Sequence, residues 1–125
     1  MAKLEIRTSD APTPVAAFSQ GVRKGNVLQV AGQVAFDADG KITADTVGEQ
    51  TRQALRNVNA VLAAAGASMD DVIMLRVYLT DTSQFAEMNQ AFGEFVSEPY
   101  PARTTVYVGL PAGLLVEIDA LAVLD

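Results

Sequence analysis

Histidine and cysteine are both absent from the 125 residues. Without them, a Ser-His-Asp triad, a cysteine nucleophile and the usual zinc sites are impossible. Any chemistry must therefore use carboxylates, arginine, lysine, tyrosine, hydroxyl groups, backbone groups and water. A magnesium site built from carboxylates alone needs clustered acidic residues. No such motif is present, so we predict no metal site.

Basic residues are scarce as well. Lys and Arg number nine against 15 Asp and Glu, and the formal net charge is −6. Because phosphate binding needs clustered Lys and Arg, we predict no nucleic-acid partner. No apolar run approaches the roughly 20 residues that span a bilayer, so we expect no membrane insertion. The N-terminal segment lacks the apolar core of a signal peptide, and disulfides are excluded, which together predict a cytoplasmic protein.

Apolar residues, by contrast, are abundant. They make up 50% of the chain, and the mean hydropathy of +0.20 is high for so short a sequence. Either the core is unusually large or other subunits cover some apolar surface. No repeat, low-complexity tract or linker interrupts the chain, so we predict one domain over residues 1–125.

The hydrophobic pattern changes period along the chain, in the order strands, helix, strand, helix, strands. The first predicted strand carries Leu4 and Ile6, and its extension to Thr8 stays open. The others are Asn26–Phe36, Val72–Thr80 and two C-terminal segments within Tyr100–Gly109 and Leu110–Asp119. The predicted helices are Thr46–Ala65, which stops before Gly66, and a second one that starts near its N-cap Ser83, carries Phe85, Met88, Phe92 and Phe95, and ends at Glu98–Pro101. Two amphipathic helices can cover one face of a mixed β-sheet. We therefore predict an α+β fold, a two-layer sandwich.

The alternation within each strand assigns its residues to faces. The face toward the helices is predicted to carry Leu28, Val30, Gly32 and Val34, then Ile73, Leu75, Val77 and Leu79, and finally Val106 and Val108. The opposite face is predicted to carry Gln29, Gln33, Arg76, Tyr78, Arg103, Thr105, Tyr107, Glu117 and Asp119, mixed with Ala31, Met74, Leu121 and Val123. That second face is too apolar for open water and too charged for a core. We interpret it as a surface buried between subunits, with a ligand site in or beside it.

Arg103 and Glu117 are the strongest functional candidates on these strands. Arginine can bind a ligand carboxylate through two parallel hydrogen bonds, and glutamate can move a proton to or from water. A structural alternative stays open for each: Arg103 could belong to an ion pair with a nearby carboxylate, and Glu117 could pair with Arg76 or a lysine in a subunit interface. Gly32 within a strand indicates a bulge or a close approach of backbone. Asn89, between two helical phenylalanines, is typical of a structural hydrogen-bonding residue.

Seven segments resemble the Rid family, the reactive intermediate deaminases or YjgF-like proteins, of which RidA is the best-known branch. They are Phe18-Ser-Gln-Gly21, Ala31-Gly-Gln33, Ala63-Ala-Ala-Gly66, Val77-Tyr-Leu-Thr-Asp81, Phe85 with Asn89, Pro101-Ala-Arg103 and Val116-Glu-Ile-Asp-Ala-Leu-Ala122. The similarity runs over essentially the whole chain, in order and at family spacing. The last two segments are the specific ones.

This resemblance implies a homotrimer of chorismate-mutase-like subunits, with the sheets packed around a central barrel and the sites at subunit interfaces. It also implies a cofactor-free hydrolysis of reactive enamines and imines. The substrates would be small imino or enamino acids such as 2-aminoacrylate, 2-iminopropanoate and 2-iminobutanoate. The products would be 2-keto acids and ammonia.

The resemblance also implies a role for each matching residue. Arg103 would bind the substrate carboxylate, Glu117 would activate water, and backbone groups of Thr105 would hold the imine nitrogen. Phe18, Gly32 and Asn89 would line the cleft. The chain departs from the RidA branch at Phe18, where a Tyr is usual, at Thr105, where Cys is typical, and at Ala31, where Ser is. Losing polar groups from a pocket changes substrate preference and rate.

Three other functions remain open at this stage. The first is a trimeric, non-catalytic binder in which Arg103 senses the carboxylate of a metabolite. The second, a ribonuclease or translation inhibitor, is opposed by the net charge of −6. The third is a holdase chaperone, which would need exposed apolar surface. Only the deaminase requires Glu117.

Overall fold

A computed structural model describes residues 2–125, and Met1 lies outside them. The elements are β1 (Leu4–Ile6), β2 (Gly21–Lys24), β3 (Val27–Gln33), α1 (Val47–Ala64), β4 (Val72–Leu79), α2 (Phe85–Gly93), β5 (Ala102–Tyr107) and β6 (Val116–Val123). The strands form one six-stranded sheet in the order β1-β2-β3-β6-β4-β5. All neighbours are antiparallel except β4 and β5, which are parallel. Both helices contribute to the core that covers one face of the sheet, so the predicted α+β architecture is confirmed.

Helix α1 supplies most of the helical side of the core. The Thr46 hydroxyl caps its first turn by accepting a hydrogen bond from the Glu49 backbone N–H, and Gly66 follows its end with φ of +75°, where a side chain is disfavoured. The fully buried apolar residues of this helix are Ala54, Leu55, Val58, Val61 and Leu62. They pack against Leu28, Val30, Leu75, Val77 and Ile118 of the sheet. The apolar stripe read from the sequence therefore faces the core, and the helix bounds agree within about one residue.

Strand β2 is an element that the sequence pattern did not reveal. It forms a hairpin with β3 across Gly25, whose φ is +61°. Gly21-Val-Arg-Lys24 contains one large apolar residue and so shows no clear alternation. The predicted strand Asn26–Phe36 also ends earlier, at Gln33.

A bulge in β3 changes the predicted faces beyond Val30. The register of β3 with β6 shifts between Val30 and Gln33, and Gln33 pairs with the buried Ile118. Gln33 is therefore on the helix side, and Gly32 turns instead toward Glu117. The face predictions for Gly32 and Gln33 were wrong because one extra residue inverts every later position.

A second bulge changes the start of β4. The register with β6 shifts between Val72 and Met74, and Ile73 is 52% exposed instead of buried with Leu75. The start of the second helix also differs from the prediction. Asp81, not Ser83, caps the short 3₁₀ turn that leads into α2.

Strand β5 lies at the edge of the sheet, and its faces are the reverse of those predicted. Arg103, Thr105 and Tyr107 are in register with Leu75, Val77 and Leu79 of β4, so they lie on the side that the helices cover. An edge strand is partly exposed on both faces, as the exposures of 39% for Val106 and 45% for Tyr107 on the two sides show. Its alternation therefore does not reveal which face is inside.

None of the helices formed by residues 2–125 is long and apolar enough to cross a membrane.

Candidate active site

Arg103 is held by three side chains of helix α2. Its Nη1 donates a 2.8 Å hydrogen bond to Asn89 Oδ1. Its guanidinium carbon lies 4.8 Å from the centre of the Phe92 ring and 5.5 Å from that of Phe85. Cation–π contacts and one hydrogen bond therefore fix the plane of the guanidinium. Asn89, interpreted as a structural residue from the sequence, positions a functional candidate.

Arg103 forms no salt bridge with any residue between 2 and 125. Among these residues, therefore, no ion pair accounts for Arg103. A guanidinium has five N–H groups in a rigid fork, so donors remain for an anion. A cavity of about 490 Å³ lies beside it, with Phe92, Tyr100 and Pro101 in its wall. The arrangement suits a small molecule with a carboxylate.

Glu117 projects from β6 on the uncovered side of the sheet. It is partly buried, and neither a hydrogen bond nor a salt bridge engages it among the described residues. The alternative partner, Arg76, binds Asp119 instead at 2.7 Å. Burial, and secondly the charge of Asp119, raise the pKa of Glu117 above its ordinary value. A carboxylate with a raised pKa and no partner is suited to exchange protons with a substrate.

Gly32 is the backbone neighbour of that carboxylate. A Cβ at this position would lie 2.3 Å from Glu117 Oε2, which is far inside van der Waals contact. Only glycine therefore fits at position 32 while Glu117 keeps its present position. The reason is the close approach of the two residues and not the φ angle of Gly32. Both explanations offered for a glycine inside this strand, a bulge and a close approach, are found.

Phe18 and Thr105 complete the set of predicted residues. Phe18 is 54% exposed and shares with Gly32, Val34 and Phe36 a groove of about 590 Å³. Thr105 lies two residues beyond Arg103 on the same half-buried face of β5. Because β5 is an edge strand, the backbone groups on its outer side have no partner strand, and these could bind a ligand.

The described chain builds two half-sites. The first, the Arg103 half, consists of Arg103, Asn89 and Thr105 on the helix side of β5. The second, the Glu117 half, consists of Glu117, Gly32 and the groove of Phe18. The sheet separates them, because Arg103 and Glu117 lie on opposite faces and β4 runs between their strands. One copy therefore does not bring Arg103 and Glu117 together.

Two contributors were not recognised in the sequence as parts of the site. Phe92 was predicted only as one of the apolar residues of the second helix, yet its ring also lies under Arg103. Gln20 is 2% exposed, and its amide donates to the carbonyls of Thr8, Ala11 and Pro12 and accepts from the Thr8 N–H. It thereby anchors the segment that leads to Phe18. A single glutamine in a loop carries no periodic signal, so the pattern could not reveal this role.

Comparisons with known proteins cover nearly the whole chain. The family model described as Endoribonuclease L-PSP matches residues 8–124. A RutC family protein from Pyrococcus horikoshii is 44% identical over 119 residues, which is 94% of each chain. The 2-iminobutanoate/2-iminopropanoate deaminase of Salmonella typhimurium is 35% identical over 122 residues, 94% of this chain and 95% of that one. The crystal structure of RidA from an Antarctic Psychrobacter superposes with a TM-score of 0.92 at 39% identity, over 97% and 99% of the two chains.

Proposed function

The chain belongs to the Endoribonuclease L-PSP family, which includes the YjgF and RidA proteins, and on this basis we propose that it hydrolyses reactive enamines and imines. The substrates are small acids of the 2-aminoacrylate, 2-iminopropanoate and 2-iminobutanoate type. The products are 2-keto acids and ammonia. The observation that carries the proposal is Arg103, held by Asn89 and Phe92 with no carboxylate of the described chain to neutralise it.

The active site in this proposal lies between two copies of the chain. Arg103, Asn89 and Thr105 come from one subunit, and Glu117, Gly32 and Phe18 come from its neighbour. The uncovered sheet face supports such an assembly, because the apolar Val27, Val106 and Val123 are 45%, 39% and 37% exposed there. A contact between two different surface patches forms a ring when its rotation closes, and we propose that it closes here into a homotrimer.

The reaction begins with the substrate carboxylate bound by two N–H groups of Arg103. Glu117 takes a proton from a water molecule, and the water oxygen bonds to the imine carbon while the C=N electron pair moves to nitrogen. Glu117 returns that proton to the nitrogen, and the hydroxyl proton of the addition product passes to the nitrogen as it departs. The C–N bond then breaks, ammonia leaves, and the carbon–oxygen bond becomes the carbonyl of the 2-keto acid. An enamine first gains a proton on its terminal carbon and loses one from its nitrogen, which converts it to the imine.

The residues at hand are sufficient for this chemistry. The imine carbon beside a carboxylate is already electrophilic, so the site needs positioning and proton transfer above all. The raised pKa of Glu117 makes its carboxylate a better proton acceptor than that of an ordinary glutamate. Backbone groups of Thr105 orient the imine nitrogen.

The test is a coupled assay with the purified protein. An amino-acid oxidase produces 2-imino acids in solution, and semicarbazide traps those that remain. Wild type is expected to reduce the trapped product, and Arg103→Ala is not. If the wild type has no effect on small, branched or aromatic substrates, the proposal fails and a non-catalytic binder of carboxylates is favoured.

Ribonuclease activity, which the description of the family model names, has little support in this structure. Three of the arginines are bound to carboxylates: Arg7 to Glu5, Arg52 to Glu49 and Glu94, and Arg76 to Asp119. Phosphate binding needs a group of free cations on one surface, which these pairs do not provide.

Replacing Gly32 by Ala is expected to lower the rate of imine hydrolysis. The new Cβ forces the Glu117 carboxylate away from its position, and a displacement of about 1 Å costs on the order of 10²-fold. Stability should change little, because the clashing atom is the end of a flexible side chain. Gly109→Ala is the matched control, since a Cβ there meets nothing within 4 Å. Equal rates for both variants would contradict the placement of Glu117.

A further inference from the structure

Asp119 lies in a polar cluster beside Glu117. It is 8% exposed, and both of its carboxylate oxygens are occupied. Oδ1 accepts a 2.7 Å hydrogen bond from Arg76 Nε, and Oδ2 accepts one of 2.8 Å from the Tyr78 hydroxyl. The bond to Asp119 is the main reason that the pKa of Tyr78 is raised, so the phenol remains a donor. Asp119 is thus a fixed carboxylate in a defined orientation.

The cluster is built into the strands next to Glu117. Glu117 and Asp119 are two residues apart on β6, so both side chains project from the uncovered face. On β4, Tyr78 is directly opposite Glu117 and Arg76 is directly opposite Asp119. Opposite side chains on antiparallel strands have Cβ atoms about 4.5–5.5 Å apart. The four residues therefore form a compact square.

We propose that Asp119, held in place by Arg76 and Tyr78, is a positioning residue that acts on the reaction through Glu117. A fixed negative charge opposes a second negative charge nearby, so Asp119 favours the protonated form of Glu117. Arg76 binds Asp119 and keeps the Asp119 carboxylate oriented beside Glu117. The role in catalysis rests on the proposed function, whereas the effect on Glu117 does not.

The other groups around Glu117 do not produce the same effect. Tyr78 faces it from β4 but is uncharged, and Arg76 sits one pair further along and is bound to Asp119. Strand β3 contributes Gly32, which has no side chain. In the proposed assembly, Arg103 of the partner subunit also lies near Glu117. Because it is present in every variant compared below, it does not affect the comparison.

The first experiment measures the proton affinity of Glu117 directly. A pH titration of the glutamate side-chain ¹³C carboxyl signals by NMR, with Glu117 assigned through Glu117→Gln, is compared between wild type and Asp119→Asn. The pKa of Glu117 is expected to fall in Asp119→Asn, since a repelling charge is removed without a change of shape. Tyr78→Phe keeps both charges and is the control, with a smaller shift expected. No shift in Asp119→Asn, or an equal one in Tyr78→Phe, would overturn the proposal.

The second experiment records the pH profile of kcat/KM for imine hydrolysis. Glu117 must be ionised to accept a proton from water, so the acid limb is expected to move to lower pH in Asp119→Asn. An altered carboxyl titration with an unmoved acid limb would refute the catalytic role. If wild type shows no turnover, the proposed function fails, while the NMR titration still decides whether Asp119 controls Glu117.

Discussion

Replacing Glu117 by Gln is expected to lower the rate of imine hydrolysis by about 10²–10⁴-fold, the usual contribution of a general base. The amide keeps the shape of the side chain but cannot accept the proton of the attacking water. Binding of a carboxylate should persist, because Arg103 and its support from Asn89 are untouched. Rates come from the semicarbazide competition assay, and binding from calorimetry with a 2-keto acid.

This loss is not expected to come from unfolding. The pKa of Glu117 is raised in the folded protein, chiefly by burial. The stability linked to this group is therefore fully present below its unfolded pKa and is lost as the pH rises through the folded value. Above the folded value the ionised side chain opposes folding, so there Glu117→Gln should unfold at the same temperature or higher. Glu98→Gln, at an exposed residue, is the matched control and should keep full activity. Unchanged activity in Glu117→Gln would favour the non-catalytic binder.

Two inactive variants are expected to restore activity when their subunits are mixed in one oligomer. Arg103→Ala alone should lose about 10²–10⁴-fold in kcat/KM, the value of two charge-assisted hydrogen bonds. If each site takes Arg103 from one copy and Glu117 from the next, an Arg103→Ala subunit can supply Glu117 to a Glu117→Gln subunit. Every trimer that contains both variants then has about one intact site in three, because each site lies between two different surface patches.

The mixing experiment uses co-expressed subunits with two distinguishable tags, and the mixed oligomers are isolated by both. Arg103→Ala mixed with Asn89→Ala is the control. Both changes lie in the Arg103 half, so no oligomer of these subunits contains an intact Arg103 half. Absence of recovery in oligomers that contain both variants would mean that each copy builds a complete site, contrary to the placement of Arg103 and Glu117 on opposite faces of the sheet.

The prediction from sequence was most accurate where many residues share one period. Helix α1 was located within about one residue because its apolar stripe repeats over 18 residues, and a long regular pattern averages out local exceptions. The α+β class followed from the order of such patterns. The family could be identified because its motifs combine special residues, such as Pro101-Ala-Arg103, with spacing along the whole chain.

The prediction was wrong where one residue decides the outcome. A bulge in β3 reversed Gly32 and Gln33, and a bulge in β4 exposed Ile73. The faces of β5 were reversed because an edge strand shows little contrast between its two sides. Such short irregularities depend on contacts with neighbouring strands, which the local sequence does not encode.

The sequence by itself determined which residues can carry the chemistry. In a chain without histidine or cysteine, few groups other than carboxylates, tyrosine and arginine remain, and the family motifs single out Arg103 and Glu117. Only the tertiary structure decided where these two groups lie, on opposite faces of one sheet, and which neighbours control them. The physical reason is that residue type limits chemistry locally, whereas the direction of a side chain follows from strand register and from the packing of distant segments.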